Sequence, residues 1–195
     1  MNERLEKLEQ EVRKLYEAKN PNRAEWGDWL YENHVFWVAN RARDLAKKYG
    51  ANEELSYAAA ILHDISDAVM GRFDSNAEEE SLRIGWGLMR KVGYSDDEIT
   101  LVIDDAVKYH SCHNDQRPNS LEGKILATAD ALFHIETDFY LYAMWVRGRE
   151  GANLAEAKDF ALKKLERDYR NKILFDDIRA EATDDYEAIK RIWSK

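Results

Sequence analysis

Three polar residues interrupt the apolar run "AAAILHDISDA" at 58–68: His63, Asp64 and Asp67. An ionised carboxylate is costly to bury without a partner, so these side chains need a route to solvent or a positive charge beside them. Asp130 repeats the problem in "ILATADALFHI", a carboxylate among Ile125, Leu126, Ala129, Leu132 and Phe133. The five histidines, at 34, 63, 110, 113 and 134, all fall in the middle of the chain. His34 sits at the edge of a helical stripe, with Val38, Arg41 and Leu45 on its side at steps of four, seven and eleven. One arrangement accounts for all of this: His34, His63, Asp64 and Asp130 converging from three helices on one divalent cation. Neighbouring helix residues diverge by about 100 degrees, so His63 and Asp64 reach a single ion only by bending in from its two sides. Two imidazoles and two carboxylates without thiolate suit Mn, Fe, Co, Ni or Mg better than a closed structural zinc. Water completes such a shell, and open positions mean chemistry.

The elements that must carry these side chains read as helices almost throughout. Val35, Val38, Ala39, Ala42, Leu45, Ala46 and Tyr49 recur at the helical period, and Gly50 follows as a stop. Asn52 caps an expected helix running to Gly71, and Ser75 or Asn76 caps another that closes at Gly93. "SDDE" at 95–98 is a capping box opening a helix to about His110. A long helix over 120–146, one from about Asn153 and a last one through Tyr186 to Trp193 complete the set. The two prolines, at 21 and 118, lie outside these segments, and no alternating strand pattern or repeat interrupts them. The expected fold is all-α, a compact bundle of about six to eight helices. Residues 1–20 stand apart as an amphipathic helix and 21–195 form the main domain. Leu5, Leu8, Val12 and Leu15 have coiled-coil spacing; a helix packed on its own domain is favoured over a homodimer contact.

The 195 residues suffice for one well-packed domain, with 45% hydrophobic content to build its core. A net charge of -9 argues against a protein that tracks along a nucleic acid polymer, which needs an excess of Lys and Arg. No run approaches the roughly 18 apolar residues of a membrane span, and the start is charged where a signal peptide would be greasy. The single cysteine, Cys112, excludes an internal disulfide framework. A cytoplasmic setting is expected.

The ordered pattern of His34, "ILHDISDA" and "ATADAL" resembles the HD-domain metal-dependent phosphohydrolases. "AVKYHS" looks like that family's later histidine-bearing helix, and residues 160–193 look like the C-terminal helices of its uncharacterised phosphohydrolase branch. The resemblance implies hydrolysis of a phosphate monoester or phosphoanhydride of a small metabolite, with a nucleotide favoured, in a site holding one divalent metal ion. Such an ion lowers the pKa of water toward neutrality and offsets charge on the equatorial oxygens in the transition state. Asp64 and Asp67 are the expected catalytic carboxylates; Asp67, three residues after Asp64, is placed to accept a proton from the attacking water. The alternative for Asp67 is a partly solvated carboxylate paired with Arg72. Arg41, Arg72, Lys108, Arg117 and Lys124 are candidates to orient phosphate, and His110 to contact it.

The sequence also departs from the family. Asn76 stands where dinuclear branches carry a further histidine, and Trp37 where many relatives have an arginine. Cys112 and His113 read as an ordinary polar loop, His134 as a partner of Asp130 or a core residue, and the tryptophans as core. A non-catalytic module that binds a nucleotide or metal and regulates is the alternative function.

Overall fold

A computed structural model describes residues 3–72 and 74–194. Met1, Asn2, Phe73 and Lys195, among them the first two residues of the expected 1–20 helix, lie outside the described residues. The described chain is all-α, with ten α-helices of four or more residues and no strand, more helices than the sequence suggested. None of them is long and apolar enough to cross a membrane. The chain divides into two compact units, residues 1–126 and 127–195.

In the first unit, α1 (Glu3–Glu17) buries Leu5, Leu8, Val12 and Tyr16. It packs against α3 (Glu53–Leu62) and α4 (Ala77–Val92), so its apolar stripe is taken up inside the unit. Arg4 fastens this packing with bonds of 2.6 Å to Glu54 and 2.6 and 2.9 Å to Glu98. Between them α2 (Phe36–Tyr49) follows a wider helical turn at Leu30–Val35 and ends at Gly50, whose φ of 72° is the left-handed cap that glycine adopts freely. The Ser95 capping box opens α5 (Asp96–Ile99), which continues as a wider turn over Thr100–Val107. The Asn52 cap is present, accepting from Glu54 N and Leu55 N. At the start of α4, Asn76 occupies the cap position but makes no side-chain capping bond.

The helix expected over 52–71 stops at Leu62. Two side chains satisfy the carbonyls that a longer helix would have used. His63 Nδ1 donates to Ala60 O at 2.6 Å, and the Tyr16 hydroxyl donates to Asp64 O at 3.2 Å. The chain leaves the helix at Asp64 (φ -118°, ψ 27°) and re-forms as a tight 3-10 turn over Ile65–Ala68. His63, Asp64 and Asp67 therefore stand at and just beyond a helix end, not in its middle.

The helix expected over 120–146 is two. α6 (Leu121–Glu136) ends where Thr137 Oγ1 donates to Phe133 O at 2.6 Å and accepts from Phe139 N at 3.2 Å, and α7 (Phe139–Arg149) starts anew. In the second unit, α8 (Leu154–Arg167) has the capping box Asn153/Glu156 and runs on as a wider turn over Asp168–Lys172. α9 (Asp176–Glu181), which the sequence reading lacked, precedes α10 (Thr183–Trp193). Thr128 fixes the return of the chain, donating to Lys172 O at 3.3 Å and accepting from Leu174 N at 3.0 Å. Trp26 and Trp193 are buried, but Trp145 is 53% exposed and so is no core residue.

Candidate metal centre

The helix end that α3 makes at Leu62 sets the geometry of the first unit's site. His34, on the wide turn before α2, and His63 bring their Nε2 atoms within 2.8 Å of each other. Asp64 Oδ2 lies 3.8 Å from His34 Nε2 and 3.6 Å from His63 Nε2. These three donors lie within 4.8 Å of one another, a spacing that one ion with bonds of about 2.0–2.2 Å can span. The bond from His63 Nδ1 to Ala60 O settles its tautomer: Nδ1 carries the proton and Nε2 keeps the lone pair a metal needs. The two histidines are buried, so water does not compete freely for their nitrogens.

Charge around Asp64 is organised by Arg72. Its Nη1 donates to Asp64 Oδ2 at 2.8 Å and to Asp67 Oδ2 at 2.6 Å, with the side chain 34% exposed. The two carboxylates respond in opposite directions. Burial works to raise the Asp64 carboxyl, but Arg72 and the three imidazoles of His63, His110 and His34 outweigh it and hold the group well below the usual range. Burial prevails at Asp67, which is only 1% exposed, and its pKa is raised to about 6 against the pull of Arg72. Pairs of carboxylates whose environments separate them in this way divide into a fixed anion and a group able to exchange a proton near neutrality. Asp67 does pair with Arg72, as its alternative reading had it, but as a buried group and not a partly solvated one.

A cleft of about 190 Å³ opens beside these residues, and His63, Asp64, Asp67, Arg72, Lys108 and His110 are in its wall. His110 Nδ1 donates to Val107 O at 2.6 Å, and its ring meets that of His63 edge-on at 5.2 Å between centroids. His113, read from the sequence as part of an ordinary polar loop, is also in the wall. So are Ser66, Ser81 and Glu78, which no sequence motif singled out. Arg41, Arg117 and Lys124 are not among the lining residues.

Asp130 belongs to the second unit, on α6, and is buried there. Lys172 Nζ bonds Asp130 Oδ2, and His134 Nε2 lies 3.3 Å from Asp130 Oδ1. His134 Nδ1 is 2.9 Å from Asp168 Oδ2, which also accepts from the Tyr140 hydroxyl at 2.7 Å and faces Lys164 Nζ at 3.2 Å. Burial pushes the His134 imidazole down to about 4, so it is neutral at pH 7. The positive charge that the sequence demands beside Asp64 and Asp130 is supplied in the structure by side chains. Each has a cation beside it, Arg72 for Asp64 and Lys172 for Asp130, so charge compensation alone does not require a metal. Lys172 was missed because it lies 42 residues downstream, and a lysine in "DYRNKIL" looks like surface charge.

A family profile described as HD domain matches residues 31–133, which takes in His34, the His63–Asp64 pair, His110 and Asp130. Among curated proteins the chain is similar to Ribonuclease Y of Rubrobacter xylanophilus, 34% identical over 99 residues, covering 51% of this chain and 17% of that protein. Ribonuclease Y of Symbiobacterium thermophilum gives the same identity and coverage. That of Petrotoga mobilis is 32% identical over 110 residues, 56% of this chain and 19% of the relative. The chain thus matches less than a fifth of the length of these relatives. No solved structure matches.

Proposed function

Because this chain belongs to the HD-domain family, we propose that it is a divalent-metal-dependent phosphohydrolase acting on a phosphate monoester or phosphoanhydride of a small metabolite, with a nucleotide as the favoured substrate. The observation that supports this best is the joining of a donor triad to a cleft that also carries cations: His34, His63 and Asp64 within 4.8 Å, with Arg72 and Lys108 in the same cleft wall as His63 and Asp64. The proposed ligands are His34, His63 and Asp64, with Asp130 added by the family resemblance. An ion of Mn, Co, Ni, Fe or Mg supplies an activated water and positive charge for the equatorial phosphate oxygens.

The chain's own residues do the rest. Arg72 is anchored by Nη1 on two carboxylates, which leaves the other edge of its planar guanidinium for a phosphate. Lys108 adds a second positive charge, and His110 offers an imidazole where the phosphoryl group would sit. Asp67, ionised above about pH 6, accepts the proton of the attacking water.

The relatives' name suggests a second reading, cleavage of RNA phosphodiesters. The net charge of -9 supports the small-metabolite reading instead, since a polymer substrate would meet repulsion over most of the surface. A panel of nucleotides, sugar phosphates and a short oligoribonucleotide, offered to protein loaded separately with Mn, Co, Ni and Mg, separates these readings. Release of phosphate or pyrophosphate from a small compound supports the proposal. Turnover of the oligoribonucleotide alone favours the second reading. Nucleotide binding without turnover favours a regulatory module.

A further inference from the structure

The proposed reaction occupies one part of the cleft and leaves another unassigned. Ser66 and Ser81 are in the wall, 4% and 6% exposed. Glu78, Ser81 and Leu82, at i, i+3 and i+4 of α4, share one face of that helix and are all in the wall. Ser81 Oγ accepts from Ser66 N at 3.2 Å, which ties α4 to the 3-10 turn that carries Asp67. That bond uses a lone pair of the Ser81 hydroxyl and leaves its proton without an acceptor among the described residues. The Ser66 hydroxyl makes no hydrogen bond among them either. Buried hydroxyls are ordinarily satisfied, so two unspent protons in one cleft wall call for an acceptor that enters the cleft.

Glu78 defines what that acceptor is. Its side chain is exposed, and its carboxylate makes no ion pair or hydrogen bond among the described residues. A phosphoryl oxygen could accept from Ser81 but would be repelled by Glu78. An ammonium group could bind Glu78 but would leave the Ser81 proton unspent. A hydroxyl group answers both, accepting from Ser81 and donating to Glu78. Residues three apart on a helix have Cβ atoms about 5–6 Å apart, a gap that one hydroxyl or two adjacent ones can bridge. Leu82, half-buried, adds an apolar surface suited to the C–H face of a sugar ring. The cleft, at about 190 Å³, is smaller than the roughly 300–1,000 Å³ of pockets that enclose a drug-sized ligand, which fits a phosphate with one sugar.

From this arrangement we propose that Ser81 and Glu78, with Ser66 as a second donor, form a subsite for the hydroxyl groups of the substrate's alcohol part. The substrates are then phosphate esters of sugars, free or within a ribonucleotide whose base lies beyond the cleft. Arg72 and Lys108 take the phosphate, and the face of α4 takes the sugar. The inference rests on the phosphohydrolase reading above and narrows its substrate class.

The test compares ribose 5-phosphate with propyl phosphate, two primary alkyl esters that differ in hydroxyl groups, using the full chain loaded with manganese. The expected kcat/KM is at least about tenfold higher for ribose 5-phosphate, the worth of one or two hydrogen bonds to a charged or buried partner. In Ser81→Ala and Glu78→Ala the ratio between the two esters falls by about fivefold or more. Equal kcat/KM for the two esters in the wild type, or an unaltered ratio in both variants, overturns the proposal and leaves the phosphohydrolase reading standing. Calorimetric binding of the same two esters is measured in parallel. Tighter binding of ribose 5-phosphate without turnover of either ester supports the subsite and removes the hydrolytic reading, and binding of neither ester overturns the subsite. Should Ser81→Ala fail to fold, the exposed Glu78→Ala still decides.

Discussion

Replacing Lys172 by Met removes one charge from the second unit and little volume. In the wild type the cluster is balanced, with Asp130 and Asp168 against Lys164 and Lys172 and a neutral His134 between them. The side chains of Lys172, Asp130 and Asp168 are 2%, 5% and 0% exposed, so water cannot screen what is left after the substitution. Breaking a buried pair by removing one partner costs about 3–5 kcal/mol, because the remaining charge is uncompensated. At roughly 2–4 °C per kcal/mol for a chain of this size, the melting temperature of metal-free protein should fall by about 6–20 °C. Urea unfolding followed by circular dichroism gives the free energy directly. The charge argument makes a further demand: Lys172→Met combined with Asp130→Asn should recover most of the loss, since no unpaired carboxylate remains at that position. A single variant within about 1 kcal/mol of wild type, or a double variant as unstable as the sum of its parts, would refute the reasoning.

Two other outcomes follow from the electrostatics. Asp67→Asn should keep the fold and metal occupancy but lower turnover by about tenfold or more, with the acid limb near pH 6 disappearing; wild-type turnover would reduce Asp67 to an anchor for Arg72. His134, held at about 4 against an ordinary 6.5, binds its proton more readily once unfolded, so its contribution is present above pH 6.5 and lost as pH falls toward 4. Metal-free wild type should lose about 3 kcal/mol more than His134→Gln between pH 7 and pH 4, measured by urea unfolding, and equal losses would contradict the assignment.

The sequence revealed the helices through local signals. The Asn52 cap, the Ser95 capping box and the glycine stops at 50 and 93 each depend on a few adjacent residues, and each is where the pattern put it. Errors came where a distant side chain intervenes. The Tyr16 hydroxyl reaches Asp64 O from 48 residues away and helps to end α3 early, which no periodicity within 52–71 records. The break at Thr137 is local, yet a threonine bonding back to Phe133 O looks from sequence like any helical threonine. His34, His63 and Asp64 were legible because their order and spacing are a motif, and the structure brings these three together. Arg72 was legible as a candidate for phosphate, but its hold on Asp64 was not. Lys172 and Asp168 were invisible, because burial of a charged residue depends on what faces it and not on its neighbours in the chain.

The most direct measurement of the central claim is calorimetric titration of Mn2+ into metal-free wild type and Asp64→Ala. The account predicts one ion bound per wild-type chain, with a thermal stabilisation that grows with free metal, and loss of both in the variant. Equal binding by the two proteins, or none by the wild type, would contradict it.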